Sequence, residues 1–337
     1  MAATRKRITY AKLAARAKAG TLSEKELADY FAPDEERSKP LAPAVKLNLD
    51  LVDMAGRRPR ARTVNRLRIE AEQGCRERLQ PAAPKRAPRR RGEPTERAAP
   101  RIRVLAEGDS WFNLPNLSWF WPRDAMDVLA DTHHVKVVAF WGDEIADMVA
   151  PPNKRNYLVP LNSGLYPHFC ISGGGNDVLA GIEAHVKAHG STGTDPSNPA
   201  SYIKASFAAK LGETIGHYGT LYQDVRGSSV PDTNLYVHGY ANAIPHRGGE
   251  YLGRPLGALG FSVPSALAEA IVAEMVGAFN VALEGFAAAR PTVSYVDMRP
   301  ALTRDDWNSD EIHPSSEGAA KVAQRFREAI AANIPVA

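Results

Sequence analysis

The sequence predicts an α/β protein built on a parallel sheet and preceded by a basic, mainly helical N-terminal region. Two observations lead there. From Arg101 onward, short β-rich runs alternate with longer helical ones, the pattern of strands joined by crossover helices. Before that point the chain is different in kind: residues 1–100 hold 24 Lys and Arg against 13 Asp and Glu, whereas the remainder holds 18 against 25. At 337 residues the chain also exceeds the ~100 to 200 usual for one domain, so a second module or a long appendage is expected.

Taken in order, three stretches of the N-terminal region read as helices: Tyr10 to Ala19, Ser23 to Phe31 and Thr63 to Leu79. Ser23 and Glu26 have capping-box spacing, and Val64, Leu67, Ala71, Cys75 and Leu79 fall near one face of the third helix. Between Pro81 and Pro100, prolines alternate with Lys85, Arg86, Arg89, Arg90, Arg91 and Arg97, a mixture that neither holds a helix nor buries apolar area. The expected organisation is a helical region over 1–80, an extended linker over 81–100 and a second domain over 101–337. Within that domain the strands are Ile102 to Ala106, Val135 to Phe140, His168 to Ser172, Asn234 to His238 and Thr292 to Val296, enough for a doubly wound sheet. The helices are Pro122 to Ala130, Ala205 to Arg226, Pro264 to Ala289 and Ser316 to Asn333, the last with Val322, Phe326, Ala329 and Ile330 on one face.

Composition narrows the class. With 44% hydrophobic and 24% charged residues, 26 Gly and 25 Pro, collagen-like, wholly disordered and coiled-coil chains are excluded. No uninterrupted apolar run reaches the ~20 residues that span a bilayer. Lys12, Arg16 and Lys18 break the only early segment that could act as a signal peptide, so a cytoplasmic chain is expected. Cys75 and Cys170 form no C-x-x-C pair and supply neither a disulfide framework nor a zinc site. A Lys/Arg-rich segment can meet nucleic acid or anionic lipid. No nucleic-acid fold signature accompanies this one, and packing on the chain's own second domain, on a second copy or on a protein partner is the favoured role.

In open parallel sheets, ligands bind beyond the carboxyl ends of the strands. Those ends are rich in chemistry here: Glu107-Gly108-Asp109-Ser110-Trp111, Trp141-Gly142-Asp143, Gly173-Gly174-Gly175-Asn176-Asp177 and, after the fifth strand, Asp310-Glu311-Ile312-His313-Pro314. A serine hydroxyl needs a base to take its proton, and a histidine oriented by a carboxylate is such a base. Ser110, His313 and Asp310 supply the three groups, the last two on one loop. An acyl-transfer intermediate also needs donors for its oxyanion. The backbone N–H of Ser110, the N–H of Gly142 and the amide of Asn176 are the candidates.

These four blocks resemble those of the SGNH (GDSL-type) hydrolase family, in the same order and over about 230 residues. The resemblance implies a flavodoxin-like three-layer α/β/α domain with five parallel strands in the order 2-1-3-4-5. It also implies serine esterase, lipase, thioesterase or carbohydrate deacetylase activity on a small-molecule or lipid ester, with no metal or other cofactor. Residue by residue, Ser110 matches the nucleophile, Gly142 and Asn176 the oxyanion donors, His313 the general base and Asp310 its orienting acid. Two departures stand out. Trp111 takes the place of the family's usual Leu, and an aromatic segment, Phe112 to Trp121, delays the next helix. Trp111, Phe112 and Trp141 are therefore candidates for substrate contact, although the aromatic segment could equally be a plug against the N-terminal region.

Each residue also has a structural alternative. Ser110 could cap a helix, Asp109 and Asp177 could brace loops, residues 173–175 could be only a turn, and His313 could be a satisfied loop histidine. Their conjunction favours a hydrolase site. Two other functions are kept open: a metal-dependent phosphoesterase using Asp109, Asp143, Asp177, Asp310 and His313, and a binding protein whose basic region dominates over an inert domain. His185 and His189 are taken to share a helical turn on an exposed surface, and the glycine-rich loop 241–262 is long enough to cover a site.

Overall fold

The computed structural model describes residues 7–34, 36–37, 44–57, 59–79, 101–114, 123–151, 153–308 and 310–333. The expected linker, 81–100, and most of the aromatic segment, 115–122, lie outside them.

The N-terminal region contains its three expected helices, α1 (Tyr10–Lys18), α2 (Glu24–Tyr30) and α3 (Ala61–Leu79). The capping box at α2 is formed: Glu26 N–H donates to Ser23 Oγ, and Ser23 N–H donates to the Glu26 carboxylate. Four short strands join them, β1 (Ile8–Thr9), β2 (Phe31–Pro33), β3 (Val45–Leu47) and β4 (Val52–Asp53). β1 pairs parallel with β4, and β2 pairs antiparallel with β3. Strands of two or three residues carry no readable alternation, which is why the sequence did not announce them. Leu13, Leu22, Leu27, Phe31, Val45 and Leu67 anchor a hydrophobic core belonging to this region.

The remaining strands are β5 (Arg103–Gly108), β6 (His134–Val137), β7 (His168–Ser172), β8 (Asn234–His238) and β9 (Val293–Val296). They form one five-stranded sheet in the order β6-β5-β7-β8-β9, with every pair parallel. This is the doubly wound 2-1-3-4-5 order. β7 lies at the centre and is buried at all five positions, as a strand covered on both faces must be. The longer helices are α4 (Ala125–Leu129), α5 (Ile145–Val149), α6 (Arg155–Leu161), α7 (Gly175–Leu179), α8 (Ala205–Arg226), α9 (Gly253–Ala258), α10 (Ala266–Ala288) and α11 (Ser316–Ala332). α4 and α11 pack together over one face of the sheet, while α5, α6, α8 and α10 build the layer on the other.

By length and composition α10 could cross a bilayer. Its Ile271, Val272, Met275, Phe279 and Leu283 are instead buried in the core of the α/β domain. His185 and His189 do not share a helix. His185 follows a short 3-10 turn and pairs with Ser206 Oγ at 3.0 Å, whereas His189 packs against Phe261.

The two cores touch at the end of β6. Trp141 is buried among the N-terminal apolar residues, and Gln73 of α3 donates to the Ala139 carbonyl. The assignment of Trp141 as a substrate contact is therefore corrected: its ring is part of the N-terminal core.

Candidate active site

Switch-point geometry sets the site. β5 lies between β6 and β7, so the loops after β5 and β7 leave the sheet side by side. Gly108, the last residue of β5, is in register with Ser172, and a Cβ on it would overlap the Ser172 backbone. Glycine lets the two strands meet at the point where the chain turns into Asp109 and Ser110.

Asp109 secures that turn. Its Oδ1 accepts from Trp111 N–H at 3.0 Å and from Ser172 Oγ at 2.5 Å, and its Oδ2 accepts from the Tyr240 hydroxyl at 2.6 Å. One carboxylate thus ties the loop after β5 to the ends of β7 and β8. The turn presents Ser110, whose Oγ lies 2.7 Å from His313 Nε2, across 203 residues of sequence. On the far side of the ring, Nδ1 is 2.7 Å from Asp310 Oδ2. The backbone N–H of His313 donates to the other oxygen of Asp310 at 3.0 Å, and that of Ile312 does so at 3.3 Å. Burial alone pushes the Asp310 carboxyl up, but the hydrogen bond and charge of the His313 ring, with the two backbone N–H groups, outweigh it and hold Asp310 below the ordinary carboxylate range. Ser110 and His313 are buried, at 7% and 5% exposure, so the chain of contacts is largely withdrawn from water.

Asn176 opens α7, and its Nδ2 donates to the Asp143 carbonyl at 2.8 Å. That bond uses one N–H of the amide and fixes the direction of the second. Gly142, with φ +77°, makes the bend that offers this carbonyl. Among the described residues, the N–H groups of Ser110 and Gly142 have no hydrogen-bond acceptor. Ser110, Asn176 and His313 line a narrow chamber with about 30 Å³ of free space, walled mainly by Trp111, Leu179, Tyr240, Ala243, Trp307 and Ile312. Gly142 is not among its lining residues.

Of the residues considered for substrate contact, Trp111 lies against the chamber. Its ring walls the chamber, its Nε1 donates to the Ile312 carbonyl at 3.0 Å, and it stacks on His238. Phe112 is corrected: it is fully buried between Phe326 of α11 and His238, on the core side of the turn. Both rings meet His238, but only Trp111 also lines the chamber.

Asp177 is buried beside Asn176 and accepts from Ile145 N–H at 3.1 Å through one oxygen. The other oxygen has no partner among the described residues. Burial, together with the negative charge of Glu144, pushes its carboxyl up to about 7, against the smaller opposing pulls of the Ile145 hydrogen bond and Lys210. A carboxyl raised in the folded state binds its proton more tightly there than in the unfolded chain. Its contribution to stability is complete below about pH 4 and is lost as pH rises through about 7. We expect the melting temperature to fall between pH 5 and pH 8 in the wild type and to fall less in Asp177→Asn; thermal melts across that range check it. Among the described residues, no group of three or more His, Cys, Asp or Glu is placed to hold a metal. Asp109 and Asp177, two members of the phosphoesterase set, are engaged in bracing the loops.

Sequence reasoning missed Tyr240, Trp307 and Glu311. Tyr240 follows β8 by two residues and is reachable by the same strand-end rule. Trp307 and Glu311 lie on a long loop with no periodicity to mark them.

No family model matches the chain, and no curated protein matches it. Solved structures do resemble it, and several of them are named as an SGNH hydrolase, a GDSL-like lipase, an esterase or a lipase. A protein provisionally called a platelet activating factor, from Streptococcus pneumonia, aligns with 81% of this chain and 100% of its own at 13% identity and a TM-score of 0.47. A provisional SGNH hydrolase from Slackia heliotrinireducens covers 68% and 100% at 18% identity and 0.44. A carbohydrate acetylesterase from Sinorhizobium meliloti covers 69% and 100% at 17% identity and 0.44. At these scores the likeness carries no functional weight, and the site is read from its own geometry.

Proposed function

We propose that the protein is a serine-dependent hydrolase of carboxylic esters or thioesters, acting through an acyl-enzyme. The observation that supports this most is the unbroken Ser110–His313–Asp310 chain of 2.7 Å contacts at the floor of an apolar chamber. In this reading Ser110 Oγ attacks the acyl carbon while its proton passes to His313 Nε2. The resulting oxyanion takes hydrogen bonds from Ser110 N–H, Gly142 N–H and the second amide N–H of Asn176. Collapse expels the alcohol or thiol, which leaves with the proton from His313. Water then gives a proton to the same ring and attacks the acyl-serine, releasing the acid and restoring Ser110. Asp310 orients the ring and stabilises its charged form without taking the proton.

Two consequences can be measured. A panel of p-nitrophenyl esters of increasing acyl length should be hydrolysed at rates unaffected by a chelator; turnover that needs added divalent metal would favour the phosphoesterase chemistry instead. Asn176→Ala should lower kcat by about 10² to 10³-fold with KM little changed, because the lost donor acts on charge that develops only in the transition state. Steady-state kinetics on the best ester of the panel decide that. The expected role of the N-terminal region is to pack on the hydrolase domain, a reading supported by the burial of Trp141 in its core.

A further inference from the structure

Glu311 stands between two members of the triad yet takes part in none of the contacts described so far. Its backbone is left-handed, with φ +77°, a conformation unfavourable for a non-glycine residue that persists only where the surroundings impose it. The imposition is visible. Glu311 is 1% exposed, and its carboxylate faces the glycine-rich loop. Its Oε1 accepts from the backbone N–H of His246 at 2.8 Å and of Gly253 at 2.9 Å; its Oε2 accepts from Tyr251 at 3.1 Å and Leu252 at 2.9 Å. The Glu311 carbonyl also accepts from Ile244 N–H at 3.4 Å.

Four backbone donors on one buried carboxylate make a clamp. They close segment 246–253 of the glycine-rich loop around the loop that carries the base. The clamp also explains two residues: a Cβ on Gly249 would overlap the Glu311 carboxyl, and one on Gly253 would overlap the His246 carbonyl. The same segment sets the Tyr251 ring edge-on to the His313 imidazole, with centroids 6.3 Å apart. His313 is thus fixed from two directions, by Asp310 within its own loop and by the clamped segment from outside.

Resting on the hydrolase reading above, we propose that Glu311 is a positioning residue for catalysis: by clamping segment 246–253, it holds the Asp310–His313 loop at bonding distance from Ser110. Acceptors on both sides are what the clamp needs, so Glu311→Gln is its sharpest probe. The amide would present an N–H₂ group to two of the four backbone donors and so open half of the clamp while keeping the shape of the side chain.

The test compares wild type, Glu311→Gln and Gly249→Ala, with Glu250→Ala, exposed on the same loop, as control. Folding is checked by a cooperative thermal melt. The expected result is a kcat lower by about 10²-fold in both clamp variants, KM within about twofold of wild type, and a parallel loss in the rate of fluorophosphonate labelling, as for a displacement of reacting groups of order 1 Å. Glu250→Ala should behave as wild type. Folded clamp variants with wild-type kcat and labelling rate would overturn the proposal and leave Glu311 as a purely structural brace, whose loss lowers the melting temperature alone. Should Glu311→Gln fail to fold, Gly249→Ala decides, since its methyl presses on the clamp from the loop side and leaves the carboxylate in place. Absence of ester hydrolysis in the wild type would refute the hydrolase reading itself, a separate outcome.

Discussion

Ser110→Ala abolishes ester hydrolysis, with an expected loss of at least about 10⁴-fold in kcat and a fold indistinguishable from wild type. The size follows from the role: with the nucleophile gone no acyl-enzyme can form, and what remains is the modest rate supplied by binding and by the oxyanion donors. Folding should be spared because, among the described residues, the Ser110 side chain has a single hydrogen bond, to His313, whereas the turn around it is held by Asp109. Active-site titration together with circular dichroism separates the two effects. Substantial turnover in folded Ser110→Ala would exclude this serine as the nucleophile.

Asp310→Asn should cost about 10³ to 10⁴-fold in kcat. The asparagine can match the shape, but it removes the charge that stabilises the imidazolium and can hold the ring in the wrong tautomer. Its stability signature has a definite sign. A carboxyl held below its ordinary range contributes stability above the unfolded value, and this is lost as pH falls through the folded one. The wild type should therefore lose stability relative to Asp310→Asn on acidification below about pH 4, while at pH 7 the variant is the weaker of the two. Equal pH profiles of stability for the two proteins would contradict the pairing of Asp310 with His313.

Much of the fold was legible because the sheet is parallel and covered on both faces. Fully buried strands read as short apolar runs, so His168–Ser172 and Asn234–His238 match their expected bounds, as does the start of the helix at Ser316. β5 runs two residues further than expected. Glu107 and Gly108 continue the ladder with Ile171 and Ser172, a pairing set by the neighbouring strand and not by their own apolarity. β6 stops at Val137, short of Phe140, although the N–H groups of Val138 and Phe140 still donate to Ala106 and Gly108 of β5. The meeting of Ser110 with His313 and Asp310 was legible from their motif blocks: Ser110 directly follows β5, while Asp310 and His313 share a loop well beyond the end of β9. The directions of Phe112 and Trp141 were not, since apolarity does not reveal which of two cores a ring will join. Glu311 was hidden for a similar reason: its partners are backbone N–H groups about sixty residues away, and backbone donors leave no trace in a side-chain pattern.

Treatment of the folded protein with a fluorophosphonate, followed by peptide mapping of the adduct by mass spectrometry, probes the Ser110–His313 contact most directly. A single adduct on Ser110, formed at a rate that collapses in His313→Ala, is the expected result. An unlabelled Ser110 in protein that still hydrolyses esters, or an adduct on another residue, would contradict it.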